Sequence, residues 1–250
     1  MPRAFFFWGI MADKPGFPEI LSFGPTGYGD ELAWAAAISI SIAVLAYALG
    51  LLIGIMGALG KLGGSELTQK VLHGYTTLVR AVPELILILL LYYAGTSGLN
   101  ALLEQMGFES IAINGFVAGV FVLGFVQGAY STEVLRAAIQ AIPIGQLEAA
   151  RAYGMSPFLQ FRRITLPALL PFAIPGMANL WLIATKDTAL LAVVGYTELT
   201  LATRQAAGNT KMYFTFFLMA GAIYLIITLV SQQGFGWLER RMRRGQRALN

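Results

Sequence analysis

Cysteine is absent and histidine occurs once, as His73. The first absence removes any disulfide framework or thiolate metal site, and the second leaves no histidine cluster to hold a metal. Charge is scarce too: Asp, Glu, Lys and Arg make up 12% of the 250 residues, where a soluble domain carries about 25%. No GxxxxGK[ST] stretch occurs, so the chain cannot cradle ATP in a P-loop. No Ser/His/Asp or Cys/His set can be assembled for nucleophilic catalysis. What is present is apolar, with 57% hydrophobic residues and 28 glycines. Half the usual charge at this hydrophobicity places the chain among membrane proteins. The net charge of +4 is not a nucleic-acid signature, because the basic residues cluster beside apolar spans. His73 falls where a helix enters the membrane and is expected to cap or sit at the interface.

The apolar runs predict an all-α membrane protein with five transmembrane helices in a single domain over residues 1–250. Residues 1–31, with the aromatic run Phe5-Phe6-Phe7-Trp8 and Pro15, Pro18 and Pro25, read as a short outward-facing tail lying on the membrane. Residues 32–60 carry no charge and are long enough to span, since about 20 apolar residues suffice. Gly50 and Gly54 in this first span have the spacing that admits another helix backbone. Span two is expected from about 72 to 94, with Arg80, Pro83 and Glu84 in its first half. Arg80 and Glu84 would then be i,i+4 neighbours able to pair, or Glu84 would face a polar pathway. Residues 95–110 read as an outer loop. Span three, 111–132, carries Gly115, Gly119, Gly124 and Gly128 in two further close-approach pairs. Its end turns polar through residue 140.

Span four starts at Pro167, and Pro167, Pro171 and Pro175 recur every fourth residue. Proline removes a helix hydrogen bond, so a broken helix is expected, and a broken helix in a membrane lines a cavity or is buried in protein. Asn179 and the pair Lys186-Asp187 lie within this stretch. They are candidates for a substrate path, or Lys186 and Asp187 simply neutralise each other. Residues 196–211, with Glu198, Arg204 and Lys211, read as a second outer loop. Span five is 212–238, followed by Arg240, Arg241, Arg243, Arg244 and Arg247. Counting Lys and Arg by side places the N-terminus out and the C-terminus in. Spans one to three then lie within 32–142, a cytoplasmic loop at 143–167, spans four and five within 168–238, and a cytoplasmic tail at 239–250.

The loop at 143–167 is the longest polar-rich interruption. Pro143-Ile144-Gly145 ends the preceding helix, and Gln146 to Tyr153 reads as a short helix with Glu148 near its positive end. Gly154 supplies a left-handed residue to close it. Ser156 and Pro157 have the identities of an N-cap and a first helical residue. The product is a knob of two short helices carrying Arg151, Arg162 and Arg163.

Seven positions in this knob, Glu148-Ala149-Ala150, Gly154, Ile164 and Leu166-Pro167, resemble the EAA loop of binding-protein-dependent ABC importer permeases. The likeness extends from about residue 30 to 240. Ala129 to Arg136 and Lys186-Asp187-Thr188-Ala189-Leu190 resemble the polar amino acid uptake group, and Gly74 to Glu84 resembles its entry to span two, with Ala81-Val82 in place of the commoner Gly-Thr. Within the group the Q-type subunits of histidine, lysine/arginine/ornithine and opine permeases are the most similar.

That resemblance implies a type I importer (MetI-like) permease fold in a bacterial inner membrane. It implies a multi-pass permease subunit for a polar, basic amino acid or opine, with no cofactor of its own. ATP-Mg would be bound by two partner ATPase subunits. A second similar permease subunit (a heterodimer), a periplasmic substrate-binding protein and membrane lipid complete the expected partners, with no nucleic acid. The resemblance gives the ATPase-coupling role to Glu148, Ala149, Ala150, Arg151 and Gly154. The candidate substrate path is Glu84, Asn179, Lys186 and Asp187. An ion-coupled secondary transporter or channel is the alternative. It would carry internal repeats and a larger, even span number, neither of which the sequence shows.

Overall fold

The computed structural model describes residues 17–20, 22–24, 27–110 and 114–243. The expectations for residues 1–16 and for Arg244 and Arg247 lie outside these. Among the described residues the only regular structure is helical, and five helices are long and apolar enough to cross a membrane.

A four-residue turn, α1 (Phe17–Ile20), precedes α2 (Gly29–Gly63). At 1.5 Å per residue, α2 is about 50 Å long, well beyond a hydrocarbon core of about 30 Å. Two residues of the expected membrane-lying tail pack into the bundle instead. Ile20 is fully buried with Leu32, Leu199 and Phe216, and Tyr28 meets the Phe216 ring edge-on at 5.3 Å. The apolar ring and side chain find a better site in the end of the bundle than at the water interface.

The second expected span is displaced. A separate amphipathic helix, α3 (Glu66–Ala81), is capped by the Ser65 hydroxyl accepting from the Thr68 amide. It ends at Val82-Pro83, and the spanning helix is α4 (Glu84–Gln105). Pro83 cannot donate, and it pushes Val82 into extended backbone (ψ 137°). Arg80 and Glu84 are thereby placed on different helices, and no ion pair joins them among the described residues. The expected loop at 95–110 is mostly the end of α4.

Helix α5 (Gly115–Gln140) is the centre of the bundle, and its main partner is α2. The two lie nearly backbone to backbone. A Cβ on Gly54 would stand 2.4 Å from Ser131 Cβ, and one on Gly50 2.7 Å from Gln127 Cβ. The contact is reciprocal: Gly124 and Gly128 on α5 receive Leu49 and Ile53 of α2. Both sets of small residues thus serve the close approach their spacing predicts. Tyr75 of α3 donates from its hydroxyl to the Phe125 carbonyl at 2.6 Å, fastening α3 to the same helix.

After the knob, residues Phe161–Thr165 form a π turn in which the Leu166 amide reaches back to Phe161. Then α8 (Leu166–Asp187) runs unbroken through Pro171 and Pro175. This corrects the expected break. Each proline withholds one bond, and packing against α2, α5 and the last span, α10 (Tyr213–Met242), holds the helix together. The irregularities lie at its ends instead, in the π turn before it and the 3-10 segment Thr188–Val194 after it.

The expected outer loop at 196–211 is also a helix, α9 (Leu199–Thr210), with one face in the core. Glu198 is its N-cap and is fully buried. Its carboxylate accepts from the Leu201 amide at 3.0 Å, from Tyr224 at 3.2 Å and from Ser39 at 3.3 Å. Burial pushes its pKa above the ordinary carboxylate value, while these donors pull it back. The network ties α9 to α2 and to α10. Glu198→Ala is expected to lower the stability of the purified assembled transporter by about 1–3 kcal/mol, since buried donors lose their acceptor. Thermal unfolding in detergent checks this, and an unchanged midpoint would refute it. Glu198→Gln, which keeps one acceptor oxygen, should lose less.

Candidate coupling knob and polar path

The knob forms because three local signals agree. Helix α6 (Ile144–Ala152) starts after Pro143, where a missing amide hydrogen is harmless. It closes in a Schellman motif: the Met155 amide donates to the Ala150 carbonyl at 3.1 Å, and the Gly154 amide to Arg151 at 2.9 Å. Gly154 has φ +73°, a conformation in which only glycine is unstrained. Then α7 (Pro157–Gln160) begins with the Ser156 hydroxyl accepting from the Leu159 amide. The expected helix start at Gln146 shifts to Ile144, because proline there starts a helix as well as ending one.

Four of the five expected coupling residues, Glu148, Ala149, Arg151 and Gly154, are exposed. Ala150 is not: it is 3% accessible and packs inside the knob. Sequence reasoning missed the apolar half of the outer face. Ile144 is 72% exposed, Tyr153 86% and Phe158 72%. Three large apolar side chains with a carboxylate and a guanidinium among them have the composition of a protein-docking surface.

The second candidate site is partly assembled. Glu84, at the first turn of α4, accepts a hydrogen bond from the Tyr130 hydroxyl at 3.2 Å. Arg80 and Asp187 lie within electrostatic range of Tyr130, and Glu84 within range of Asp187. Glu84 of α4 and Asp187 of α8 thus act on each other through charge, without a direct contact between them. Tyr130 belongs to the same group and was not singled out from the sequence; its position in the matched segment 129–136 was the available signal. Asn179 and Lys186 are the other two candidates, and Lys186 is within electrostatic range of Asp187. They are seven residues apart on α8, hence on one face, and both are exposed. No direct ion pair joins Lys186 to Asp187 among the described residues, while the Lys186 charge still acts on Asp187 from the next position in the chain.

Below this group, at the end of the bundle nearer the knob, is a polar cavity of about 550 Å³ lined by Lys61, His73, Thr76, Arg80, Glu133 and Arg136, among others. Lys61 forms an ion pair with Glu133 and donates to the Thr76 hydroxyl at 2.7 Å. Arg136 donates to the other Glu133 oxygen at 2.8 Å and to Gln140 at 2.8 Å. Glu133 and Lys61 thus join α5 to α2, and Lys61 reaches α3 through Thr76. His73 is exposed on the cavity wall and caps no helix; its carbonyl accepts from Thr76. The partner of Lys61 is 72 residues away, and no local pattern announces it.

The profile of the family described as "Binding-protein-dependent transport system inner membrane component" matches residues 50–244. The chain belongs to this family. An inner membrane component of this kind is a transport subunit and not an enzyme; ATP hydrolysis is the work of a separate ATPase, and a substrate-binding protein serves the same system. The secondary-transporter or channel alternative is not favoured.

Among curated relatives, the octopine transport system permease protein OccQ of Rhizobium radiobacter is 38% identical over 92% of this chain and 97% of its own length. The nopaline transport system permease protein NocQ of Agrobacterium fabrum is 39% identical over 92% and 98%. The histidine/lysine/arginine/ornithine transport system permease protein HisQ of Escherichia coli is 40% identical over 86% and 94%. Among solved structures, an amino acid ABC transporter crystallised with histidines superposes with a TM-score of 0.73 at 29% identity, covering 86% of this chain and 95% of that one. The MetNI methionine ABC transporter in an inward-facing form gives 0.64 at 18% identity, over 86% and 95%, and speaks for the shared fold alone. The five-span architecture is therefore the MetI-like fold of importer permeases in the inner membrane.

Proposed function

We propose that this chain is one of two similar permease subunits in an ATP-driven importer of a basic amino acid or an opine. The observation that carries the substrate class is the near-full-length identity of 38–40% to permeases named for octopine, nopaline and the basic amino acids. The N-terminus faces out and the C-terminus in, so the knob reaches the cytoplasm, where two ATPase subunits bind Mg-ATP. The chain's own contribution is mechanical. Glu148, Arg151 and the exposed apolar residues around Gly154 seat in the ATPase. The loaded binding protein docks outside, closure of the ATPase pair moves the knobs, and the path opens outward; hydrolysis resets it.

Glu84 and Asp187 are the acidic residues of the path. A cationic side chain leaving water needs a carboxylate partner, because an unpaired buried charge is costly. Asn179 and Lys186, exposed on this chain alone, face the partner subunit or the shared lumen. The test is ATPase activity of the co-expressed complex in proteoliposomes, with the cognate binding protein and single amino acids or opines added in turn. Stimulation by arginine, lysine, histidine or an arginine-derived opine is expected; stimulation only by neutral or acidic amino acids would discard the substrate class. In the responsive system, Glu84→Gln with Asp187→Asn should cut uptake roughly tenfold or more, equivalent to losing about 1.4 kcal/mol or more of recognition. Undiminished uptake of a basic substrate would remove both residues from the path.

A further inference from the structure

At the knob end of the bundle, α2, α5, α8 and α10 leave an apolar groove of about 360 Å³, within the roughly 300–1,000 Å³ of small-ligand sites. Leu59, Ile139, Phe161, Leu170, Phe235 and Leu238 are on its wall. Ile55 and Leu59 are exposed at its rim. The groove lies inside the spanning helices yet continues to their charged ends. Phe161 is followed directly by Arg162 and Arg163 at the π turn. Leu238 is followed by Arg240 and Arg241, and Leu238 and Arg241, three residues apart, share a face of α10. Arg241 is held over the Trp237 ring at 5.3 Å, a ring suited to the interface. Arg243 is neutralised by Glu239 at 3.0 Å, but none of Arg162, Arg163, Arg240 and Arg241 has a carboxylate partner among the described residues.

We propose that this groove seats an acyl chain of an anionic phospholipid whose head group is held by Arg162, Arg163, Arg240 and Arg241. Two physical points select this occupant. A protein helix docking inside a membrane needs small residues so that backbones can approach. This wall has no glycine, its alanines Ala58 and Ala173 are already buried, and Gly50, Gly54, Gly57, Gly124 and Gly128 are used between α2 and α5. Unpaired guanidiniums at the mouth of an apolar slot are complementary to a phosphate on a hydrocarbon tail, and basic pockets between spanning helices on the cytoplasmic side have this chemistry. Phe161 is at once a wall of the groove and the first residue after α7, so an occupied groove braces the π turn beneath the knob.

The test uses the assembled transporter in nanodiscs, with bound lipid counted by native mass spectrometry. In equimolar phosphatidylglycerol and phosphatidylcholine, preferential retention of phosphatidylglycerol by roughly tenfold is expected. Replacing all four arginines by glutamine should abolish the preference while the complex stays intact; replacement by lysine should preserve most of it. Leu59→Trp, which fills the rim, should reduce retention of both lipids. Equal retention of the two lipids by the unaltered transporter would overturn the proposal, as would an unchanged preference in the glutamine variant. So would cysteine crosslinking that traps Leu59→Cys against a partner subunit, because the groove would then hold protein.

Discussion

Gly54→Leu is expected to prevent the bundle from forming, with the yield of monodisperse assembled complex falling at least tenfold. A Cβ at this position would already be 2.4 Å from Ser131 Cβ, 2.9 Å from the Ser131 carbonyl carbon and 3.1 Å from the Thr132 amide. Two of those three atoms are backbone in the middle of α5, so no rotamer change relieves the overlap. The helices must move apart, and the flanking contacts at Gly50, Gly57 and Gly128 are lost with it. Overpacking a core costs about 1–3 kcal/mol where side chains can adjust, and more is expected where backbone must. Helix association in a membrane rests on such close packing, with no hydrophobic drive to compensate. Gly54→Ala should already reduce yield. Gly63→Ala at the end of the same helix, where a Cβ meets nothing within 4 Å, should not. Fluorescence-detected size exclusion of the three variants decides the matter: equal peaks would mean the α2–α5 contact is looser than described.

Gly154→Arg is expected to leave a normally inserted, normally assembled subunit that no longer couples ATP hydrolysis to uptake. Within this chain nothing lies within 4 Å of a Cβ at Gly154. The cost to the fold is therefore backbone strain alone, about 1–2 kcal/mol for a side chain held at positive φ. The large effect comes from the surface. Gly154 is between Tyr153 and the Ser156-capped turn, on the face proposed to enter the ATPase, and an arginine there would hold the surfaces apart. Substrate-stimulated ATPase in proteoliposomes should drop at least tenfold, and Gly154→Ala, which carries the strain without the bulk, should drop only a few-fold. Equal losses in the two variants would trace the effect to knob folding instead of docking, and full coupling in Gly154→Arg would remove the knob from the ATPase interface.

The structural basis of both expected effects was legible in the sequence, to different depths. The glycine spacing on the first and third spans announced close helix contacts but not the partner of each. The knob was legible almost to the hydrogen bond, because Pro143, Gly154, Ser156 and Pro157 act through backbone geometry within a few residues of themselves. Where the reading failed, one local rule was applied without its surroundings. Three prolines were expected to break a helix that packing keeps whole. Pro83 was read as part of a span although it ends α3 and starts α4. The polar stretch after residue 196 was read as a loop, although Glu198 caps a helix whose alanine face is buried.

Composition and hydropathy by themselves determined the membrane class and the five-span count, because these depend on sums over the chain or over a window of about 20 residues and not on how helices pack. Only the tertiary structure decided which charges meet. Lys61 finds Glu133, Glu84 comes near Asp187, and Ala150 turns inward while Tyr153 turns out. In a low-dielectric bundle each ion must be matched by a neighbour, and neighbours are set by how helices cross, which sequence separation does not encode.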